Sequence, residues 1–148
     1  MEFLNSRDIK HLIAMIEKQW AAKFEFKGLV CRNNEGRLFL VSEKYSELDT
    51  RGLRIESIGL YIGRLVHAEL KLSIEGSQLI GPYAKQNVVE LSDEEFYDWM
   101  RGLDIKRPEA SKVFLIVKNK KEYFGCARHN QGKLLNLFPK ERRIRSFT

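Results

Sequence analysis

The sequence predicts an α+β protein of two small packed modules, and three observations carry that prediction. Residues 113–117, Val-Phe-Leu-Ile-Val, form an unbroken apolar run that suits a strand buried on both faces. Residues 68–74 alternate instead, with Ala68, Leu70, Leu72 and Ile74 set against Glu69, Lys71 and Ser73, the pattern of a half-buried strand. Ile9, Leu12, Ile13, Ile16 and Trp20 recur at helical spacing. At 148 residues the chain can bury a real core as one domain or divide into two packed halves.

The elements follow in order. Asn5 or Ser6 can cap a helix that runs to about Trp20. Phe24, Phe26, Leu29 and Val30 lead into a strand, Asn33-Asn34-Glu35-Gly36 reads as a hairpin turn, and residues 37–42 return. A short helix is expected over 42–48, then a strand over 55–65 that contains Gly59 and Gly63. Gly81-Pro82 stops whatever precedes it and marks the boundary between modules 1–84 and 85–148. Beyond it, Val88, Val89 and Leu91 form a short strand. Ser92 to Glu95 supply a capping box for a helix that carries Phe96, Trp99 and Met100 and stops at Gly102. Residues 104–112, with Pro108, read as a loop into the 113–117 strand. After the polar Asn119-Lys120-Lys121, Tyr123 to Ala127 complete a hairpin. The second module is thus a small sheet or partial barrel with one helix against it.

Charge narrows the partners. A net +6 and a pI near 9.4 favour nucleic acid or an anionic membrane surface. No apolar run approaches the length of a membrane span, and Met1-Glu2-Phe3-Leu4 lacks signal-peptide character. Cys31 and Cys126 give neither a disulfide framework nor a zinc set, so a reducing cytoplasm is the expected compartment. The cations concentrate late. Arg128, Lys133, Lys140, Arg142, Arg143 and Arg145 are opposed only by Glu141, and Leu134, Leu135, Leu137, Phe138, Ile144 and Phe147 lie among them. A disordered tail rarely carries so many large apolar groups, so a folded basic edge is expected. Such an edge is suited to phosphates, with Lys85 and Arg64 as further contacts and Gly125 allowing close backbone approach. His11, His67 and His129 share no motif, and Glu94 and Glu95 are explained by capping. Trp20 and Trp99 read as core, and Tyr83 and Tyr123 as packing residues that could also stack on bases.

Gly125-Cys126-Ala127-Arg128, followed by Gly132-Lys133-Leu134-Leu135-Asn136-Leu137-Phe138-Pro139-Lys140-Glu141-Arg142-Arg143, resembles the end of the PUA-like domain in the Sun/Fmu family of RNA cytosine-C5 methyltransferases. Val89-Glu90-Leu91-Ser92 and the helix ending Met100-Arg101-Gly102 look like the opening of the same domain. Residues 59–85, with Gly63-Arg64 and Pro82-Tyr83-Ala84-Lys85, are similar to the ribosome-biogenesis factor called Nip, in which a mixed α/β domain precedes the PUA module. The two resemblances imply an N-terminal α+β module of pre-PUA type followed by a small PUA-like β-barrel module, and they add Asn136 to the RNA-contacting residues. The departure is equally informative. Cys31 follows Val30, Cys126 follows Gly125, and no glycine-rich loop joins a strand to a helix, so the methyltransferase catalytic centre is not carried over.

The expected function is therefore binding of rRNA or tRNA in ribosome biogenesis or RNA modification, without catalysis, cofactor or metal. An RNA methyltransferase acting in trans, or ribosome-assembly factors, would be the protein partners. The alternative is a protein-interaction adaptor in a ribonucleoprotein complex, its basic edge meeting an acidic surface.

Overall fold

The computed structural model describes residues 1–43, 59–108 and 113–144. The helix expected over 42–48 lies almost wholly outside them, as do Arg145, Phe147 and the start of the 55–65 strand. Helix α1 (Ser6–Trp20) forms as its spacing predicts, with the Asn5 side chain accepting from the Asp8 amide at 2.9 Å. Strands β1 (Glu2–Phe3), β2 (Leu29–Arg32), β3 (Arg37–Val41), β4 (Leu60–Val66) and β5 (Glu69–Leu72) make a five-stranded antiparallel sheet in chain order. The β2–β3 turn is held by Asn33, whose Oδ1 accepts from the amides of Glu35 and Arg37. Phe24 and Phe26 lie before β2 rather than in it.

One face of this sheet lies against α1, where Val30, Leu38, Ile62 and Leu70 meet Leu12, Ile16 and Trp20. The buried Gln19 ties helix to edge strand. It donates to the Leu70 carbonyl at 3.0 Å and accepts from the Leu70 amide at 2.7 Å. These bonds cover backbone groups that an edge strand would otherwise leave open.

Residues 74–80 differ from the expected strand end. Alternation holds through Leu72, but Ser73 then caps helix α2 (Ile74–Ile80) by accepting from the Gly76 amide at 2.9 Å. Gly76, a poor helix former, hides this helix in the sequence. Its reason is contact: a Cβ there would fall 1.9 Å from the Ile62 carbonyl oxygen.

A second five-stranded sheet follows, formed by β6 (Val88–Glu90), β7 (Ile105–Lys106), β8 (Leu115–Asn119), β9 (Glu122–Asn130) and β10 (Lys133–Asn136) in the order β6-β8-β9-β10-β7. Only the β6–β8 pair is parallel. The two-residue β7 sits inside the stretch expected to be loop, where pairing with β10 holds it. Central β8 buries Ile116 and Val117 on opposite faces, as its apolar run requires. Helix α3 (Asp93–Met100) carries the expected capping box, with Ser92 accepting from the Glu95 amide and Glu95 accepting from the Ser92 amide. It lays Trp99 over Leu134, Ile105 and Phe138. The architecture is α+β, and the second half has the partial-barrel character expected of a PUA-like module.

The two sheets share a core. Phe114, Ile116 and Cys126 of the second half pack with Ile16, Trp20 and Leu72 of the first. The indole of Trp20 donates to the Phe114 carbonyl at 3.0 Å. The Cys126 thiol, pushed up to about 12 by burial, accepts from the Leu72 amide.

Candidate nucleic-acid interface

The basic edge divides into groups with partners in the fold and groups without one among the described residues. Arg128, on β9, lies 4.7 Å over the ring of the buried Phe114 and pairs with Glu69 of β5 at 3.2 Å. It ties one sheet to the other. Arg142 pairs with Glu75 of α2 at 2.7 Å. Arg143 is half-buried, donates from Nε to the Phe138 carbonyl at 3.3 Å, and runs its stem over Gly102. A side chain at Gly102 would sit 2.7 Å from the Arg143 Cδ.

Two of the expected contacts are hydrogen-bonded within the fold. Asn136 donates from Nδ2 to the carbonyls of Trp99 and Leu103, accepts at Oδ1 from the Phe138 amide, and donates its own amide to Asp104. Every polar group of its side chain is engaged in closing the end of α3. Gly125 is buried, and its amide donates to Ser77 Oγ at 2.8 Å. Its close approach is to α2, at φ 89°, with Ile74 Cγ1 only 3.6 Å from where a Cβ would stand. Both residues thus have their hydrogen-bonding groups engaged within the fold.

Lys133 and Lys140 are exposed. So is Lys85, whose backbone amide is anchored to the Trp20 carbonyl at 2.8 Å while its side chain stands in solvent. Arg64 lies on β4 of the first sheet, with Nε donating to the Glu35 carbonyl at 3.0 Å.

Strand register adds a residue that no sequence signal marks. Lys106 of β7 is the direct cross-strand partner of Lys133 on β10, and Lys133 is also paired with Asn130 of β9. All three are exposed on one face. Like charges directly opposite destabilise a sheet by a few tenths to about 1 kcal/mol. An anion lying across both lysines would reverse that sign. The neighbouring Arg107 is used differently. Its guanidinium holds the Glu95 carboxylate through two hydrogen bonds and reaches the Glu90 carbonyl. That bond, with burial opposing and the Ser92 amide assisting, brings the Glu95 carboxyl down from 4.5 to about 2. The His129 ring sits 2.6 Å from the Arg107 carbonyl, so it too belongs to this corner.

No helix among the described residues is long and apolar enough to cross a membrane. Comparison with curated proteins finds no matching relative. Among protein families, residues 86–144 match the model described as the methyltransferase RsmF PUA domain, and a PUA domain suggests RNA binding. These residues, from the turn before β6 through the 3-10 turn at Lys140–Arg142, form a PUA-like domain.

Proposed function

We propose that the protein is a non-catalytic RNA-binding protein of the cytoplasm, acting on rRNA or tRNA in ribosome biogenesis or RNA modification. In this reading it presents RNA to a methyltransferase or assembly factor acting in trans. The observation that carries it is the opposed pair Lys106 and Lys133, flanked by Asn130, on the open face of a PUA-like domain. A sheet gains nothing by setting two lysines against each other unless something anionic lies on them. Phosphates supply that charge, and the amide of Asn130 can donate beside it. Lys140 and Lys85 are exposed as well, whereas Arg128, Arg142 and Arg143 have partners within the fold.

A titration of structured RNA across a salt series tests the proposal. If about four phosphates are neutralised, log affinity falls against log salt with a slope of roughly −3 to −4. A flat dependence, or no binding at low salt, removes RNA and leaves an acidic protein surface as the partner.

A further inference from the structure

Three cations stand side by side across the first sheet, far from Lys106 and Lys133 in sequence. Arg37 on β3 is the cross-strand partner of Arg64 on β4. Arg64 is in turn the partner of Lys71 on β5. Each contact sets like charge against like, which costs the sheet stability. Compensation is thin. Arg37 has a long contact to Glu35 at 3.7 Å, and among the described residues neither Arg64 nor Lys71 has an ion-pair partner. At one strand spacing per step the row extends roughly 10 Å across the strands. That is too long for a lone phosphate and suits a chain of them.

An aromatic ring joins this row through a bulge. Tyr61 and Arg64 would fall on opposite faces of a regular strand, being an odd number of residues apart. The register shift between Leu38 and Phe39 on β3 brings both to the face of Arg37. Phe39 lies under the Tyr61 ring, with centroids 5.5 Å apart, and Tyr61 keeps 37% of its surface exposed. Burial raises the phenol above its ordinary value, with the charges of Arg37 and Arg64 opposing that shift.

The row opens into a cleft of about 400 Å³ between the two sheets, lined by Arg37, Tyr61, Lys71, Ser73, Phe124 and Arg142. Glu75 and Glu141 also line it, and Glu75 is neutralised by Arg142. The volume falls in the range of ~300–1,000 Å³ that small ligands occupy. Aromatic walls with cations at the mouth fit a nucleobase carried on its phosphate.

We propose that this row and cleft form a second RNA site, between the first sheet and the PUA-like domain, where phosphates of a single strand lie along Arg37, Arg64 and Lys71 and an unpaired base enters beside Tyr61. The proposal rests on the RNA-binding reading and specifies which part of an RNA the first half of the chain takes. The PUA-like face and this row would then hold a folded element and its single-stranded extension together.

The test uses the full chain and two RNA probes, a blunt hairpin and the same hairpin with an unpaired tail. Unaltered protein is expected to bind the tailed probe about tenfold more tightly, the usual worth of one stacked base. R64Q/K71Q keeps the first two methylenes of each stem while removing the opposed charges, so its melting temperature should stay level or rise. It should lose the advantage of the tail and keep the affinity for the blunt hairpin. A tail carrying 4-thiouridine should crosslink to the peptides that hold Tyr61 or Phe124 in the unaltered protein. If R64Q/K71Q binds the tailed probe as tightly as the unaltered protein does, or if the two probes bind the unaltered protein equally, the second site is refuted while RNA binding by the PUA-like face stands. If neither probe binds, both readings fall together.

Discussion

The cations from Arg128 to Arg143 crowd one short stretch of sequence, whereas Arg37, Arg64 and Lys71 are scattered over the first half of the chain. Folding reverses their relationship. In the crowded stretch, Arg128 is drawn to Glu69 and Phe114, Arg142 to Glu75, and Arg143 to the Phe138 carbonyl. The scattered residues are brought into one row by antiparallel register. Charge density along a chain is therefore a poor guide to charge density on a surface. Proximity in sequence gives cations a shared neighbourhood, but the carboxylates nearby decide which remain open. The C-terminal stretch faces Glu69 and Glu75 from the other half of the molecule, and those two acids give Arg128 and Arg142 ion-pair partners within the fold.

The comparison can be broken most severely at the packing that supports the crowded stretch. Leu134 is 1% exposed and Phe138 5%, both within the cluster around Trp99. Leu134→Ala should cost about 2–5 kcal/mol and Phe138→Ala about 3–5 kcal/mol, read by denaturant unfolding. Losses below about 1 kcal/mol would mean that this stretch is a tail resting on the fold rather than part of it.

Next in size is the Glu95–Arg107 pair, which secures α3 beside β7. Glu95→Gln should destabilise by about 1–3 kcal/mol at neutral pH. The sign with pH follows from the lowered carboxyl. Its contribution is complete above 4.5 and disappears as pH falls through about 2, so the unaltered protein loses stability across that window. The variant should show a flatter dependence there, measured by melting temperature against pH. Parallel curves would contradict the assignment.

Arg128→Ala sharpens the distinction between strut and ligand. Loss of the Glu69 pair and of the contact with the Phe114 ring should cost about 1–2 kcal/mol of stability. RNA affinity should change only as the folded fraction changes. At the small end, Lys106→Ala with Lys133→Ala should move stability by less than about 0.5 kcal/mol, and upward if at all, since the variant removes an opposed like-charge pair.

How much of this was legible beforehand depends on whether the signal was local. Helix α1, the capping box at Ser92 and Glu95, and the doubly buried β8 were all readable, because caps and periodicity are written in neighbouring residues. Helix α2 was not, since Gly76 argues against a helix until its contact with the Ile62 backbone is known. Strand β7 is two residues long and exists through its pairing with β10. The site suffered most from the same limit. Lys133, Lys140, Lys85 and Arg64 were named, but Lys106, Arg37 and Lys71 become candidates only through cross-strand partners. Nothing nearby in sequence shows that Trp99, Leu103 and Ser77 hydrogen-bond Asn136 and Gly125.

The central claim is that register, not sequence crowding or total charge, sets where RNA binds. Equal removal of charge from two faces tests it most directly. Lys10 and Lys18 are exposed on α1 and serve as the control for Lys106 and Lys133. Affinity for a structured RNA near ~0.1 M salt should fall roughly tenfold or more per lost phosphate contact in K106A/K133A. In K10A/K18A, which loses the same two charges, it should fall by no more than a few-fold. Equal losses in the two variants would mean that RNA responds only to net charge, and the assigned face would be wrong.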